Sequence, residues 1–428
     1  MIRKQIIYKQ TEIGEIPVDW TIACLSNYVK VNPKRELSRG IGATYVGMAN
    51  IQPYERKISS YETKPYGGGS RFINGDTLLA RITPCLENGK TVYVDILEND
   101  DVGFGSTEFI VLTDKPEKTT SKFAYYLARS PRLKNIAIKS MVGSSGRQRV
   151  QVDKLSNSLF AFPELEEQKQ IVSILSLLDD KIELNRKVNK TLEEIGKALF
   201  KHWFVDFEFP NKNGKPYKSS GGEMVNSELG ETPKGWEIKI IDEICETVGG
   251  GTPNTKKSEY WKGGTIEWAT PSDITSLKSP VIFKTERKIT GQGLNDSSAK
   301  LLPKGTILLT SRATVGLLAI SQIPIATNQG FISIICEDYP SNHFMYFELL
   351  RRQLEIINKA SGSTFREISK GTFRGMKILL PPKKLHDDFN NVATLVFQQI
   401  SKNSVENGRL EIIRDSLLPR LMSGRLRV

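Results

Sequence analysis

Apolar positions change their period along this chain, and the change happens twice. From Leu165 to about Phe207 no proline interrupts the sequence, and Ile171, Leu175, Leu178, Ile182, Leu192 and Leu199 fall on three- and four-residue steps. That spacing predicts one long helix with a coiled-coil seam. Asn185 and Asn189 land on the same seam, where polar core residues fix register at a cost in stability. A second stretch, from Lys383 to about Met422, has Val392, Leu395, Ile412, Leu417 and Leu421 as its stripe, with Gly408 in a weak middle and a late Pro419. Those two residues argue against an unbroken second helix. Ahead of each stretch, runs such as Thr77 to Arg81, Phe109 to Leu112, Ile307 to Thr310 and Phe331 to Cys336 alternate with Gly, Pro and Asn and read as strands. Lys122 to Ile138 and His343 to Ala360 have helical spacing. Each half is therefore expected to be an α+β globule of roughly 150 residues.

The landmarks repeat in order. Thr11 to Trp20 (TEIGEIPVDW) returns as Ser227 to Trp236 (SELGETPKGW), 216 residues later. Gly75 to Arg81 is echoed by Gly305 to Arg312, Phe123 to Tyr126 by Phe344 to Phe347, and Gly143 to Arg147 by Gly362 to Arg366. Each half then reaches proline, at Pro163 and at Pro381 and Pro382. The implied organisation is a globule over 1–164, a helix over 165–207, a linker over 208–226, a second globule over 227–382 and a second helix over 383–428. A helix of about 40 residues is about 60 Å long, longer than a 150-residue globule is wide, so it must leave its own domain. Its natural partner is the other copy. Antiparallel pairing would generate a pseudo-two-fold axis with the globules at opposite ends, a shape suited to holding two separated DNA segments.

Composition agrees with folded domains and adds a charge. The 428 residues suit two to four domains, and 39% hydrophobic with 25% charged residues is ordinary for globular proteins. Lys plus Arg exceed Asp plus Glu by 60 to 48, a net +12, which favours a polyanionic partner. Charge alone leaves nucleic acid and a solvated basic surface equally open. Cys24, Cys85, Cys245 and Cys336 are far apart and read as reduced thiols; His202, His343 and His386 are equally scattered, so no zinc site is expected. The start has no apolar stretch of signal-peptide length and no run nears the ~20 apolar residues of a membrane span, so a cytoplasmic protein without a membrane partner is expected.

Motifs for chemistry are missing where they would have to be. Gly89-Lys90-Thr91 looks like the end of a P-loop, but Pro84 stands where the first glycine belongs. The glycines at 67–69 and 249–251 do not continue as G-x-G-x-x-G and read as flexible loops. No string of the amino-methyltransferase type and no nuclease-like carboxylate and lysine cluster is found, so no catalytic residue is assigned. The residues suited to touching DNA lie in polar, glycine-rich loops. Ser144, Ser145, Arg147, Gln148 and Arg149 combine hydroxyls for phosphate with Arg and Gln heads able to contact guanine or adenine edges. Ser363, Thr364 and Arg366 form the counterpart loop, with Arg374 beyond it; Arg81, Lys90 and Arg312 are the remaining basic candidates. For each, an exposed or ion-paired surface residue is the plain alternative.

Several strings also match a known pattern. Gly250 to Trp261 (GGTPNTKKSEYW) followed by Trp268 to Ile274 (WATPSDI), Ala80 to Lys90 (ARITPCLENGK), Ala198 to Phe207 (ALFKHWFVDF) and Leu417 to Gly424 (LLPRLMSG) occur in one order across nearly the whole chain. In these the sequence resembles the specificity subunits of type I restriction-modification enzymes. The resemblance implies two target recognition domains separated by helical spacers, and a non-catalytic subunit that binds double-stranded DNA. It also implies two methyltransferase subunits as partners and, in the full enzyme, motor-nuclease restriction subunits. S-adenosylmethionine, ATP and Mg would then serve the partners, with no cofactor in this chain. One departure stands out: the first helix opens with Glu166, Glu167 and Gln168, the second with His386, Asp387, Asp388 and Phe389. That departure bears on the second helix's implied partner contacts, not on the resemblance as a whole. A self-sufficient restriction-modification enzyme would need the missing motifs, and a repressor or architectural protein would not co-purify with a methyltransferase.

Overall fold

The computed structural model describes residues 7–98, 100–362 and 366–428. Backbone contacts divide the chain into two compact units. Unit 1 takes the chain up to Ile182 together with Gly408–Val428, and unit 2 takes Glu183–Asn407. Both long helices therefore contribute one end to each unit.

The two units are built on one plan, as the repeat requires. In unit 1 the main sheet has the order Val29–Val31, Phe109–Asp114, Thr77–Ala80, Thr91–Tyr93, all antiparallel. In unit 2 the order is Glu246–Gly249, Phe331–Ile335, Ile307–Thr310, Leu318–Ser321, extended by a parallel edge strand Val281–Ile282. Even the central register matches: Phe109 faces Ala80 and Phe331 faces Thr310, each at the start of one strand and the end of the other. All four residues of Thr77–Ala80 and of Ile307–Thr310 are buried, so these strands carry continuous apolar runs rather than alternation. A smaller sheet lies beside each main one, Glu62–Pro65, Gly42–Val46, Gly103–Gly105 and Ser70–Phe72 in unit 1, and Arg287–Ile289, Ile266–Ala269 and Ala326–Thr327 in unit 2. In both small sheets the second and third strands run parallel.

The helical segments are divided where chemistry demands it. Lys122 to Ile138 is two helices, Ser121–Arg129 and Pro131–Lys139, because Pro131 has no N–H to continue the ladder and Ser130 caps the second helix through the Leu133 N–H. His343 to Ala360 likewise splits into Asn342–Arg351 and Gln353–Lys359. The stretch 208–226 is also more than a connection, since Phe209 stacks on Tyr217 at 4.5 Å and packs against Trp236.

The first long helix is Leu165–Phe204 and the second Lys383–Met422, each of 40 residues. The second runs unbroken through Gly408 and Pro419. Glycine costs a helix about 1 kcal/mol and an interior proline about 3, and here Leu418 and Leu421, buried on either side of Pro419 in the unit 1 core, offset that loss. The helices pack antiparallel within each unit. In unit 1, Ile171, Leu175 and Asp179 meet a face containing Arg414, Leu418 and Leu421. In unit 2, Asn185 donates to Asn407 Oδ1 at 2.9 Å and Asn403 donates to Asn189 Oδ1 at 2.8 Å, all four side chains buried. The asparagines on the seam are thus satisfied by asparagines on the other helix, and a slip of either helix would strand buried amides without partners.

The stripe expected on the second helix is corrected in part: Leu421 is buried and Leu417 packs against the unit 1 core. Val392, Leu395 and Ile412 are 40%, 67% and 71% exposed. The buried face runs instead through Phe389, Ala393, Val396, Ile400, Asn403, Asn407, Arg414, Leu418 and Leu421. Three of those nine are polar or charged and one is alanine, so counting large apolar residues selects the wrong face.

The departure at the start of the second helix also has a structural reading. Gln168 and His386 are each the fourth residue of their helix. Gln168 is buried, donates to Lys118 O and Pro163 O and accepts from Thr119. His386 is buried, and its Nε2 accepts from the backbone N–H of Ser341, the N-cap of the helix Asn342–Arg351. Both residues tie a long helix to the segment that starts the preceding helix pair, so the exchange of Gln for His is internal and removes no outward contact.

This has a pH consequence. Burial pushes the His386 imidazole below its ordinary value, against the pull of Asp387, and burial does the same to His343 against Asn390. Both are harder to protonate in the folded unit than in the unfolded chain, where imidazole protonates at about 6.5. The unfolded state then binds more protons, so stability present above about pH 6.5 is lost as pH falls below it, at up to about 1.4 kcal/mol per pH unit for each group. Unit 1 contains no histidine. In urea titrations, His386→Gln is expected to leave unit 2 little changed at pH 7.5 and to make its loss of stability toward pH 5 shallower. An unchanged slope would assign the acid sensitivity elsewhere.

Candidate nucleic-acid interface

Each main sheet ends, at the same corner, in an arginine beside a small closed loop. In unit 1 the strand Thr77–Ala80 runs into Arg81, whose N–H donates to Glu108 O at 2.8 Å and whose carbonyl accepts from Val150 at 3.0 Å. Val142 and Arg149 exchange two backbone hydrogen bonds, at 3.0 and 2.9 Å, which close the loop 143–148. Gly143 and Gly146 have φ of +127° and +75°, and the Arg147 N–H donates to Ser144 O, so the sharp reversal needs glycine at both places. Ser144, Ser145 and Arg147 are exposed, and Gln148 is half-buried. Arg147 has no side-chain partner among the described residues. Arg149 instead lies on Glu108, with Nη2 2.7 Å from Oε1, and that carboxylate holds its pKa above the ordinary value.

Unit 2 repeats the construction with the charges exchanged. The strand Ile307–Thr310 runs into Ser311 and Arg312, and Ser361 and Glu367 exchange two backbone bonds at 3.0 and 2.9 Å. Ile368 donates to Ser311 O at 3.2 Å. Arg312 Nε lies 2.7 Å from Glu367 Oε1. The arginine is on the loop and the carboxylate on the frame in unit 1, and the reverse holds in unit 2. Arg366 is exposed beside this pair. Ser363 and Thr364 lie outside the described residues.

The other basic candidates are occupied by the fold. Lys90 Nζ donates to Met48 O at 2.8 Å. Arg374 donates to Thr247 Oγ1 at 2.6 Å and to Thr247 O at 3.0 Å, with Asp242 at 3.3 Å, so it pins the helix Lys370–Arg374 to the strand Glu246–Gly249. The glycine runs are not flexible loops throughout. A Cβ on Gly69 would meet Gly105 O at 2.0 Å, and one on Gly250 would meet Asn328 O at 2.0 Å, so these glycines allow backbone segments to touch. Beside Gly250, Thr252 donates to Gln329, and Ser311 donates to Gly330 O, which links this segment to the Arg312 corner. Glu108, Glu367 and Gln329 carry no motif, and only the folded register reveals them and the pairing of Thr252 with Gln329. Among the described residues no group of three His, Cys, Asp or Glu side chains is placed to hold a metal, and no helix is long and apolar enough to cross a membrane.

Comparison with known proteins gives a consistent match. A family model for the type I restriction modification DNA specificity domain fits residues 17–194 and again 233–401. The specificity subunit of the type I restriction enzyme HindI from Haemophilus influenzae is 29% identical, over 86% of this chain and 90% of the relative. That of the type I restriction enzyme MjaIX from Methanocaldococcus jannaschii is 28% identical, over 98% and 96%. Among solved structures, the S subunit of a type I restriction-modification system from M. genitalium superposes with a TM-score of 0.52 at 16% identity, covering 94% of this chain and 96% of that one, a likeness of fold.

Proposed function

Because the chain belongs to the family of type I restriction-modification DNA specificity proteins, we propose that it reads a bipartite, asymmetric DNA target, one half per recognition domain, and is itself non-catalytic. The observation that carries this reading is the matched pair of corners, Arg81 beside the backbone pair of Val142 with Arg149 and Arg312 beside that of Ser361 with Glu367, compared over the described residues. Their backbone plan is shared while their exposed side chains differ, which is what two readers of different half-sites require. Ser144, Ser145 and the corresponding Ser363 and Thr364 are suited to phosphate oxygens; Arg147, Gln148 and Arg366 are suited to base edges. Arg149 and Arg312, held by carboxylates, set the loops in place.

The same reading makes the chain a scaffold for two methyltransferase subunits and, in the full complex, for restriction subunits. On the unit 2 part of the first long helix, Leu184, Val188 and Ile195 are exposed at four- and seven-residue intervals, as a second helical seam would be. S-adenosylmethionine, ATP and Mg act in the partner subunits.

Mapping methylated sites after reconstitution with the methyltransferase subunits tests the assignment. The complex is expected to modify one two-part sequence, and Arg147→Ala to weaken discrimination in the unit 1 half alone, by about 1–3 kcal/mol at one base pair. Methyl transfer by the isolated chain, or an Arg147→Ala complex with unchanged sequence and affinity, would contradict it.

A further inference from the structure

Both small sheets carry the same device on different residues. In unit 1, Lys64 Nζ sits 4.4 Å from the ring centre of Tyr45 on the adjacent strand, and the Arg71 guanidinium lies 5.9 Å from Tyr66. In unit 2, the Arg287 guanidinium lies 3.7 Å over Trp261 and 5.4 Å from Trp268, the two indoles meeting edge to face at 5.0 Å. Tyr45 and Trp268 hold equivalent positions, each on the central strand opposite its parallel neighbour, at Phe104 and Ala326. A shared scaffold position with a changed cation and a changed ring is where two half-site readers would differ.

Arg287 is built for more than covering an indole. Trp268 is buried and its Nε1 donates to Gly251 O at 3.0 Å, so the platform is anchored to the segment that reaches Gln329, Gly330 and the Arg312 corner. Arg287 itself is exposed. Two nearby carboxylates are engaged elsewhere: Glu267 by Lys288 at 2.6 Å and by Thr285, and Asp273 by Thr270 and the Glu286 N–H. Among the described residues no acceptor takes the Arg287 guanidinium. Stacking fixes the plane of the group and leaves its in-plane N–H edge open, so little side-chain freedom remains to be lost on binding. That edge matches guanine O6 and N7 in the major groove. Lys256, Lys262 and Lys284, exposed on the flanking segments, add positive charge suited to the phosphates on either side.

We infer that Arg287 is a specificity-determining residue of unit 2, reading a guanine edge from a platform formed by Trp261 and Trp268. The inference rests on the DNA-reading function proposed above. Its test is methylation mapping with the reconstituted complex carrying wild-type chain, Arg287→Ala or Arg287→Lys. Both variants are expected to relax one base pair of the unit 2 half, with discrimination falling roughly ten- to a hundredfold, while the unit 1 half is unchanged. Lysine should retain more of the overall methylation rate than alanine, because it keeps the charge and loses the fork. The inference is overturned if both variants keep the wild-type sequence preference, or if alanine lowers methylation equally at every base substitution, the behaviour of a phosphate contact. A wild-type complex that modifies no defined two-part sequence overturns the function reading itself, and this assignment with it.

Discussion

Replacing Asp179 with alanine is expected to destabilise unit 1 by about 3–5 kcal/mol, the cost of leaving buried charge without its partner. Asp179 is almost wholly inaccessible; it accepts from Tyr126 Oη and from Arg414 Nη1, both at 2.8 Å, and Arg129 lies 3.9 Å away. Burial alone would lower the pKa of Arg414, yet its contacts with Asp415 and Asp179 outweigh that and hold it charged. Burial and the charge on Asp179 push the Tyr126 hydroxyl up, so it remains a donor. Without the carboxylate, two enclosed guanidinium groups share only the half-exposed Asp415, 2.9 Å from Arg414 and 3.8 Å from Arg129. Hydrogen exchange in the helix Ser121–Arg129 reports on unit 1 alone, and its slowest amides should exchange about a hundredfold faster or more. Exchanging Asp179, Arg129 and Arg414 together for apolar residues of similar volume should recover most of the loss, as apolar replacements of buried ion clusters do. Unchanged exchange in the single variant would mean that water already reaches this cluster.

Replacing residues 227–382 with the corresponding segment of a relative should change one half of the methylated sequence completely and leave the other half as it was. The cut sites suit the fold. Glu237–Ile240 pairs with Lys377–Leu380, so both ends of the exchanged piece are closed by a strand pair that it carries itself. Methylation mapping of the chimera with its partners decides the matter. If both halves of the target changed together, the two domains could not be independent readers.

Much of the architecture was readable from pattern alone, and the failures have physical causes. The first long helix begins at Leu165, as the proline-free periodicity indicates, and Asn185 and Asn189 occupy the buried seam where their spacing puts them. The face of the second helix is hard to read because Asn403, Asn407 and Arg414 are buried on it through partners on the first helix, Asn189, Asn185 and Asp179, that lie far away in sequence. Gly69 and Gly250 looked like loop residues because nothing local announces the carbonyls they touch. The pairing of Arg149 with Glu108 and of Arg312 with Glu367 inverts between the units, so aligning the two halves residue by residue does not disclose it. Arg287 was passed over for a related reason: its ring partners are separated from it by strands rather than by helical spacing.

The ring cluster of unit 2 limits how this protein could acquire a new target by recombination. Phe200 and Phe204, on the first long helix, lie 5.2 and 5.1 Å from Phe344, and Phe204 lies 5.1 Å from Phe389 on the second. Gly196 leaves the space into which the Phe347 ring fits; a Cβ there would approach it to 2.3 Å. Phe344 and Phe347 would travel with an exchanged recognition domain, whereas Gly196, Phe200, Phe204 and Phe389 would remain behind. Donor sequences are therefore restricted, among other contacts, to those that bring rings of this size to these two positions. Tyr346 on Glu193, Trp236 against Phe204 and Ser341 on His386 belong to the same joint, so an incoming domain must match this helix-facing surface, while the surfaces turned away from the helices are open to divergence.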